Sequence, residues 1–193
     1  MSLIYEYRAK RKTALYLDWR LVWAPRPGNN EANNLALEIG MIKILVLYHS
    51  QTGNTERMAR ALARGVEAVE GVEPVLKRAG QAGLDDLLQC QGLAIGTPEN
   101  FGYMSGMLKD FFDRTYPQAQ GRKEIFRKPY LVFISAGNDG RGALTSIERI
   151  CLGYQFKKVQ EPLIARGEIT EPVLERCHEL GQTIAAGVEA GIY

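Results

Sequence analysis

From Met41 onward the chain alternates apolar runs with amphipathic ones, and this rhythm limits the possible folds more than any other feature. The first run, Met41-Ile-Lys-Ile-Leu-Val-Leu-Tyr48, lacks alternating polarity, as expected of a strand buried on both faces. Met58, Ala61, Leu62, Gly65, Val66 and Val69 then recur at helical spacing until Gly71 stops them. Further strands are expected over about 72–78, 92–96, 130–134 and 159–165. Between them lie a brief helix at 84–90 and a helix presenting Met104, Met107, Leu108, Phe111 and Phe112 on one face. A helix carrying Leu144, Ile147, Ile150, Cys151 and Tyr154 follows, after a basic, turn-rich loop at 117–128. Thr170 caps the last helix, whose inward stripe is Leu174, Cys177, Leu180, Ile184 and Val188. Such a pattern predicts an α/β fold: a doubly wound, five-stranded parallel sheet of order 2-1-3-4-5, covered by helices on both faces in three layers.

Residues 1–40 differ in character. They hold both tryptophans, Trp19 and Trp23, and the basic run Arg8-Ala-Lys-Arg-Lys12, and they end in a linker-like stretch at 25–34. Ala14–Val22 is interrupted by Asp18 and Arg20, so it does not read as the apolar core of a signal peptide. Two readings stay open: an N-terminal extension that packs on the 41–193 domain, or a stretch upstream of a true start at Met41.

Composition narrows the function classes. The whole chain carries 24 basic and 22 acidic residues, too balanced for a nucleic-acid footprint. Six of the basic and four of the acidic residues precede Met41, leaving eighteen of each in the domain. No apolar run approaches the ~20 residues of a membrane-spanning helix. Cys90, Cys151 and Cys177 are odd in number and widely spaced, which argues against a disulfide scaffold or structural zinc and fits a cytoplasmic protein with idle, buried thiols.

In a doubly wound sheet, ligands bind beyond the carboxyl ends of the strands. Three loops emerge there, at 49–55, 97–106 and 135–142, all rich in Gly, Ser, Thr and Asn. Ser50-Gln-Thr-Gly-Asn-Thr55 leads from a strand into a helix N-terminus, where unpaired amides and the helix dipole favour an anion. Gly53 allows close backbone approach, while Ser50, Thr52 and Thr55 add hydroxyls. The loop has neither the lysine of a nucleoside-triphosphate loop nor the GxGxxG of a dinucleotide clamp, so a terminal phosphomonoester fits best.

Tyr48-His-Ser-Gln-Thr-Gly-Asn-Thr55 resembles the FMN-phosphate loop of the flavodoxin-like superfamily. Gly96-Thr-Pro-Glu-Asn-Phe-Gly-Tyr-Met-Ser-Gly106, followed by Phe111-Phe-Asp113, is similar to the second flavin loop of its NAD(P)H:quinone oxidoreductase branch, the tryptophan-repressor-binding-protein-like flavoproteins. The resemblance covers essentially all of 41–193. It implies a flavodoxin-like fold with bound FMN, whose phosphate would lie on Ser50, Gln51, Thr52, Gly53, Asn54 and Thr55. Thr97, Pro98, Glu99, Asn100, Phe101, Gly102 and Tyr103 would follow one edge of the isoalloxazine, with Asn100, Phe101 and Gly102 nearest N5. Ser135, Ala136, Gly137, Asn138, Asp139 and Gly140 would hold its pyrimidine side. Two features depart from that branch: Asp139 places a negative charge near the flavin, and the long insertion after the second strand is absent.

The chain itself shows no catalytic triad, carboxylate pair or metal cluster; His49 and His178 read as structural, and Arg122, Lys123, Arg127 and Lys128 as a solvated loop. Chemistry would therefore reside in the flavin. The resemblance implies a reductase of quinones or similar small acceptors with NAD(P)H as candidate donor, or alternatively a one-electron carrier docking on a redox partner protein. Carriers of this kind are typically acidic, whereas the domain is neutral, which favours the enzyme. A flavin-free binding role and a homodimer are further open expectations.

Overall fold

The computed structural model describes residues 41–193, and the two readings of residues 1–40 lie outside them. Its central sheet is built from β1 (Ile42–Tyr48), β2 (Val72–Arg78), β3 (Gly92–Asn100) and β5 (Pro129–Ala136), with two short segments, β6 (Lys157–Lys158) and β7 (Leu163–Arg166), sharing the last position. Spatially the order is β2-β1-β3-β5, and both β6 and β7 pair with β5. All these pairings are parallel. A two-residue strand, β4 (Tyr103–Met104), folds back antiparallel on β3.

The helices are α1 (Asn54–Glu67), α2 (Leu84–Gln89), α3 (Gly106–Ala119), α4 (Arg141–Gly153) and α5 (Glu171–Glu189). Two apolar cores lie on opposite faces of the sheet. Successive residues of β1 divide between them: Leu45 and Leu47 join one core, while Ile44, Val46 and Tyr48 join the other. Alternation of side chains thus serves two buried faces instead of one, which is why the sequence run is uniformly apolar. β3 is large on one face, with Leu93 and Ile95, and small on the other, with Gly92, Ala94 and Gly96. That small face accommodates Leu131 and Phe133 of β5; a Cβ on Gly96 would lie 2.2 Å from the Phe133 ring. Helices α1 and α5 approach each other through Gly65, against the His178 carbonyl, and Gly181, against that of Leu62.

Several sequence expectations need correction. Lys128, read as part of a solvated loop, is buried and donates to the Cys90 carbonyl, and Thr170 stands as N-cap of α5 without a side-chain hydrogen bond. In place of the strand expected at 159–165 there are two pieces, Lys157–Lys158 and Leu163–Arg166, separated by Val159-Gln160-Glu161-Pro162, where Pro162 has no amide to donate to a ladder. Met104 belongs to β4 and not to the following helix, which starts after Ser105, whose hydroxyl accepts the Leu108 amide at 3.3 Å; Met107 on that helix is half-exposed. The basic loop begins only after Ala119, since α3 continues through Pro117 in its last turn. Otherwise the doubly wound order and helix placement agree with the reading of the residues, as does the burial of all three cysteines.

Candidate functional site

β1, β3 and β5 end side by side, and the chain leaving each of them forms one wall of a common rim. At the first wall, Gly53 takes φ +91° and stands as N-cap of α1 without a side-chain cap. An L-residue is strained there, whereas glycine turns the chain tightly enough to direct the first-turn amides of α1 outward. Ser50 is buried and its hydroxyl accepts the Gly53 amide at 3.2 Å. Gln51 and Thr52 are exposed, and Asn54 is half-buried.

Thr55 reaches inward. Its hydroxyl lies 2.7 Å from that of Ser135, at the end of β5, a buried hydrogen bond joining the first and third loops. The second loop is joined to its neighbours as well. The His49 amide donates to the Gly96 carbonyl at 3.1 Å. Buried Thr97 accepts the Ser105 amide at 2.9 Å and donates to the Pro98 carbonyl, closing the base of the β3–β4 hairpin. Glu99 pairs with Met104 and Asn100 with Tyr103 across that hairpin.

Phe101 and Gly102 form its tip with φ +52° and +72°, the two positive values that match the twist of a two-residue hairpin turn. Phe101 is fully exposed, and Tyr103 partly so. The tip rests on the start of α4: a Cβ at Gly142 would lie 1.8 Å from the Gly102 carbonyl oxygen. The third loop runs from Ser135 and Ala136, both buried, through exposed Gly137 and Asn138 to Gly140 at φ +73°. Asp139 turns onto its own backbone and accepts the Arg141 amide at 3.0 Å. All three predicted loops therefore meet at one edge.

An ion-pair network lies beside the first wall. Glu56, in the first turn of α1, pairs with Arg60 at 2.6 Å and with Arg78. The Arg60 hydrogen bond, with Arg78 adding to it, holds the Glu56 carboxyl below its ordinary value. His49 is held below its usual value by burial, with the Arg78 charge acting in the same direction, and its Nδ1 is buried without a partner. Glu99 Oε1 is likewise buried and unpartnered. Arg78 is the residue that sequence reasoning missed. The only available signal was the parallel register placing it opposite Tyr48, which requires knowing that β2 and β1 are neighbours.

Sites elsewhere are poorer. Burial pushes the thiols of Cys151 and Cys177 up, the latter to about 12, so neither is a thiolate nucleophile. Among the described residues, no group of three or more metal-ligating side chains occurs and no helix is long and apolar enough to cross a membrane. A cavity of about 390 Å³ lies between α1 and α5, beside Arg64, Glu175 and His178. Another, of about 380 Å³, lies at the opposite end of the sheet, beside Tyr116, Phe126 and Gln155.

Comparison with known proteins decides among folds that share this edge geometry. The family described as Flavodoxin matches residues 46–179, a span running from β1 to α5. The chain is a member of the flavodoxin family. A relative from Aquifex aeolicus (strain VF5), named flavodoxin, is 35% identical over 164 residues, covering 77% of this chain and 88% of its own length. One from Acidithiobacillus ferrooxidans (strain ATCC 53993 / BNL-5-31), named NAD(P)H dehydrogenase (quinone), is 33% identical over 127 residues, 55% of this chain and 63% of its own length. The crystal structure of a WrbA-like flavodoxin from Agrobacterium tumefaciens superposes with a TM-score of 0.64 at 21% identity, covering 77% of this chain and 98% of the other. Both arms of the resemblance, flavodoxin and quinone reductase, thus occur among the relatives of this flavodoxin-family chain, and its family is one of FMN-binding flavoproteins.

Proposed function

We propose that the edge formed by residues 50–55, 97–103 and 135–140 binds FMN, and that the protein reduces quinones or similar small acceptors at the expense of NAD(P)H. The observation that carries the FMN reading is the linkage of all three loops into one rim with a glycine-led helix N-terminus at its base. The residues suit the group. A Cβ at Gly53, Gly102 or Gly137 would meet nothing within 4 Å, so backbone faces open space on all three walls. The amides of Asn54, Thr55 and Glu56 at the start of α1 would hold the phosphate, helped by the Thr52 hydroxyl. Backbone of 97–103 and 135–140 would flank the ring, and the buried, unpartnered Glu99 Oε1 supplies an acceptor for a ring N–H. When bound, FMN supplies the electron transfer, and the protein supplies placement and electrostatics.

The reductase reading draws on the rim itself. Phe101, Tyr103 and Met107 leave aromatic and thioether surface exposed beside the site, a surface suited to a planar acceptor. Equal numbers of basic and acidic residues in the domain provide no strong field to steer a charged protein partner. The second reading, a one-electron carrier for a redox partner protein, is favoured by the relative named flavodoxin, which this chain matches over most of that relative's length. The buried, unpaired thiols accord with a reducing, cytoplasmic setting for either role.

Purified protein is expected to be yellow and to release a flavin of FMN mass on denaturation; colourless protein that takes up no added FMN refutes the cofactor assignment. NADH or NADPH oxidation with benzoquinone, compared with free FMN at equal concentration, separates the two roles. Turnover no faster than free FMN removes the reductase reading and leaves the carrier.

A further inference from the structure

One guanidinium touches the chain at both ends of the loop at 50–55. Parallel register sets Arg78, the last residue of β2, opposite Tyr48, the last of β1, and its guanidinium lies 5.6 Å from the centre of the Tyr48 ring. From there Nη1 donates to the Ser50 carbonyl at 3.4 Å, and Nη2 pairs with Glu56 in the first turn of α1. Ser50 opens the loop and Glu56 follows it.

Two consequences bear on an anion. A carbonyl facing a phosphate is repulsive; Ser50 has its carbonyl engaged by Arg78 and its hydroxyl by the Gly53 amide, so the loop is left to present amides. Glu56 adds a negative charge to the helix turn where a phosphate would sit, and its pairing with Arg78 and Arg60 offsets that charge. Lysine could neutralise Glu56 but could not make the planar, forked contact with two acceptors while stacked on a ring.

Resting on the FMN reading above, we propose that Arg78 is a positioning residue for the phosphate loop: by fastening Ser50 and neutralising Glu56, it makes this site select a phosphorylated flavin over the unphosphorylated one. The ionic part of that selectivity comes from a half-exposed network and weakens with salt.

The test measures dissociation constants for FMN and riboflavin on the full chain by flavin fluorescence, and the rise in apo-protein Tm with inorganic phosphate. Arg78→Gln is expected to weaken FMN binding about tenfold and riboflavin binding less than about twofold, and to flatten the phosphate-dependent rise in Tm. Adding Glu56→Gln to Arg78→Gln is expected to restore most of the FMN affinity, because the charge to be offset has gone. Arg78→Lys should recover part of it. Equal losses for FMN and riboflavin, unchanged FMN affinity in Arg78→Gln, or no recovery in the double variant would each overturn the assignment of Arg78. Wild-type protein that binds neither flavin overturns instead the FMN reading on which it stands.

Discussion

Gly142→Ala offers a direct test of how the rim is assembled. Gly142 is the second residue of α4, and an added Cβ would lie 1.8 Å from the Gly102 carbonyl oxygen, 2.8 Å from its carbon and 3.3 Å from its Cα. Relief requires the hairpin tip and the helix to separate by more than about 1 Å, since carbon contacts are comfortable only near 3.5 Å. Neither side yields easily. The hairpin is held by its own ladder and by the Ser105 amide on Thr97, and the helix start is held by Asp139 on the Arg141 amide. Overpacking of this kind costs about 1–3 kcal/mol, and the better helix propensity of alanine returns up to about 1 kcal/mol. A net loss of about 1–2 kcal/mol corresponds to a fall in Tm of roughly 2–8 °C for a domain of this size. The matched control is Gly106→Ala, at the start of α3, where a Cβ meets nothing within 4 Å. That variant should be neutral or slightly stabilised. Circular dichroism melts of the two apo-proteins decide the matter: equal Tm for Gly142→Ala and Gly106→Ala would show that the hairpin does not rest on α4. FMN affinity should fall with the first variant only.

Gly53→Val forces a branched side chain to φ +91°, so the apo-protein should lose at least about 1–2 kcal/mol and FMN affinity should drop sharply; urea melts and flavin titration check both, and unchanged affinity contradicts a phosphate at this turn. Thr55→Val keeps the shape but removes the 2.7 Å hydrogen bond to Ser135, leaving that hydroxyl unpaired, with an expected loss of about 1–2 kcal/mol in chemical denaturation. Lys128 is buried, donates to the Cys90 carbonyl, and is held below its ordinary value of 10.5 by desolvation. Between its folded value and 10.5 the unfolded chain binds the extra proton, so this residue makes stability rise with pH across that interval and contributes no slope below it. Burial raises the Tyr130 and Tyr154 phenols, which act in the opposite sense but are common to wild type and Lys128→Met. The Cys90 thiol, also raised by burial, is partly held down by Lys128, so losing that charge adds to the difference in the same direction. The wild type should therefore gain stability relative to Lys128→Met as pH is raised towards 10.5, and parallel urea-midpoint profiles would contradict this.

Local chemistry made much of the candidate site's backbone legible in advance. Glycine and hydroxyl residues cluster at 50–55 because a tight turn into a helix and an exposed row of amides demand those types, and such demands are met within a few residues of sequence. The strand at 42–48 was equally plain, since only two-sided burial tolerates such an apolar run. Met104 misled because its spacing from Leu108 and Phe111 is helical, although the chain reverses at Phe101-Gly102 before the helix begins. A positive φ at phenylalanine is not a local preference, and it persists only because the hairpin is clamped at its base and seated on α4.

From residues alone came the alternation of strand and helix, the two-sided burial of the sheet and the glycine-led turn after β1, because each depends on periodicity or on chemistry between neighbours in sequence. Tertiary structure alone decided that Arg78 reaches Ser50 and Glu56, that Thr55 meets Ser135 across 80 positions, and that Gly142 receives the hairpin tip. Those contacts join segments far apart in the chain, and their distances follow from strand order, register and helix packing, quantities that no short stretch of sequence encodes by itself.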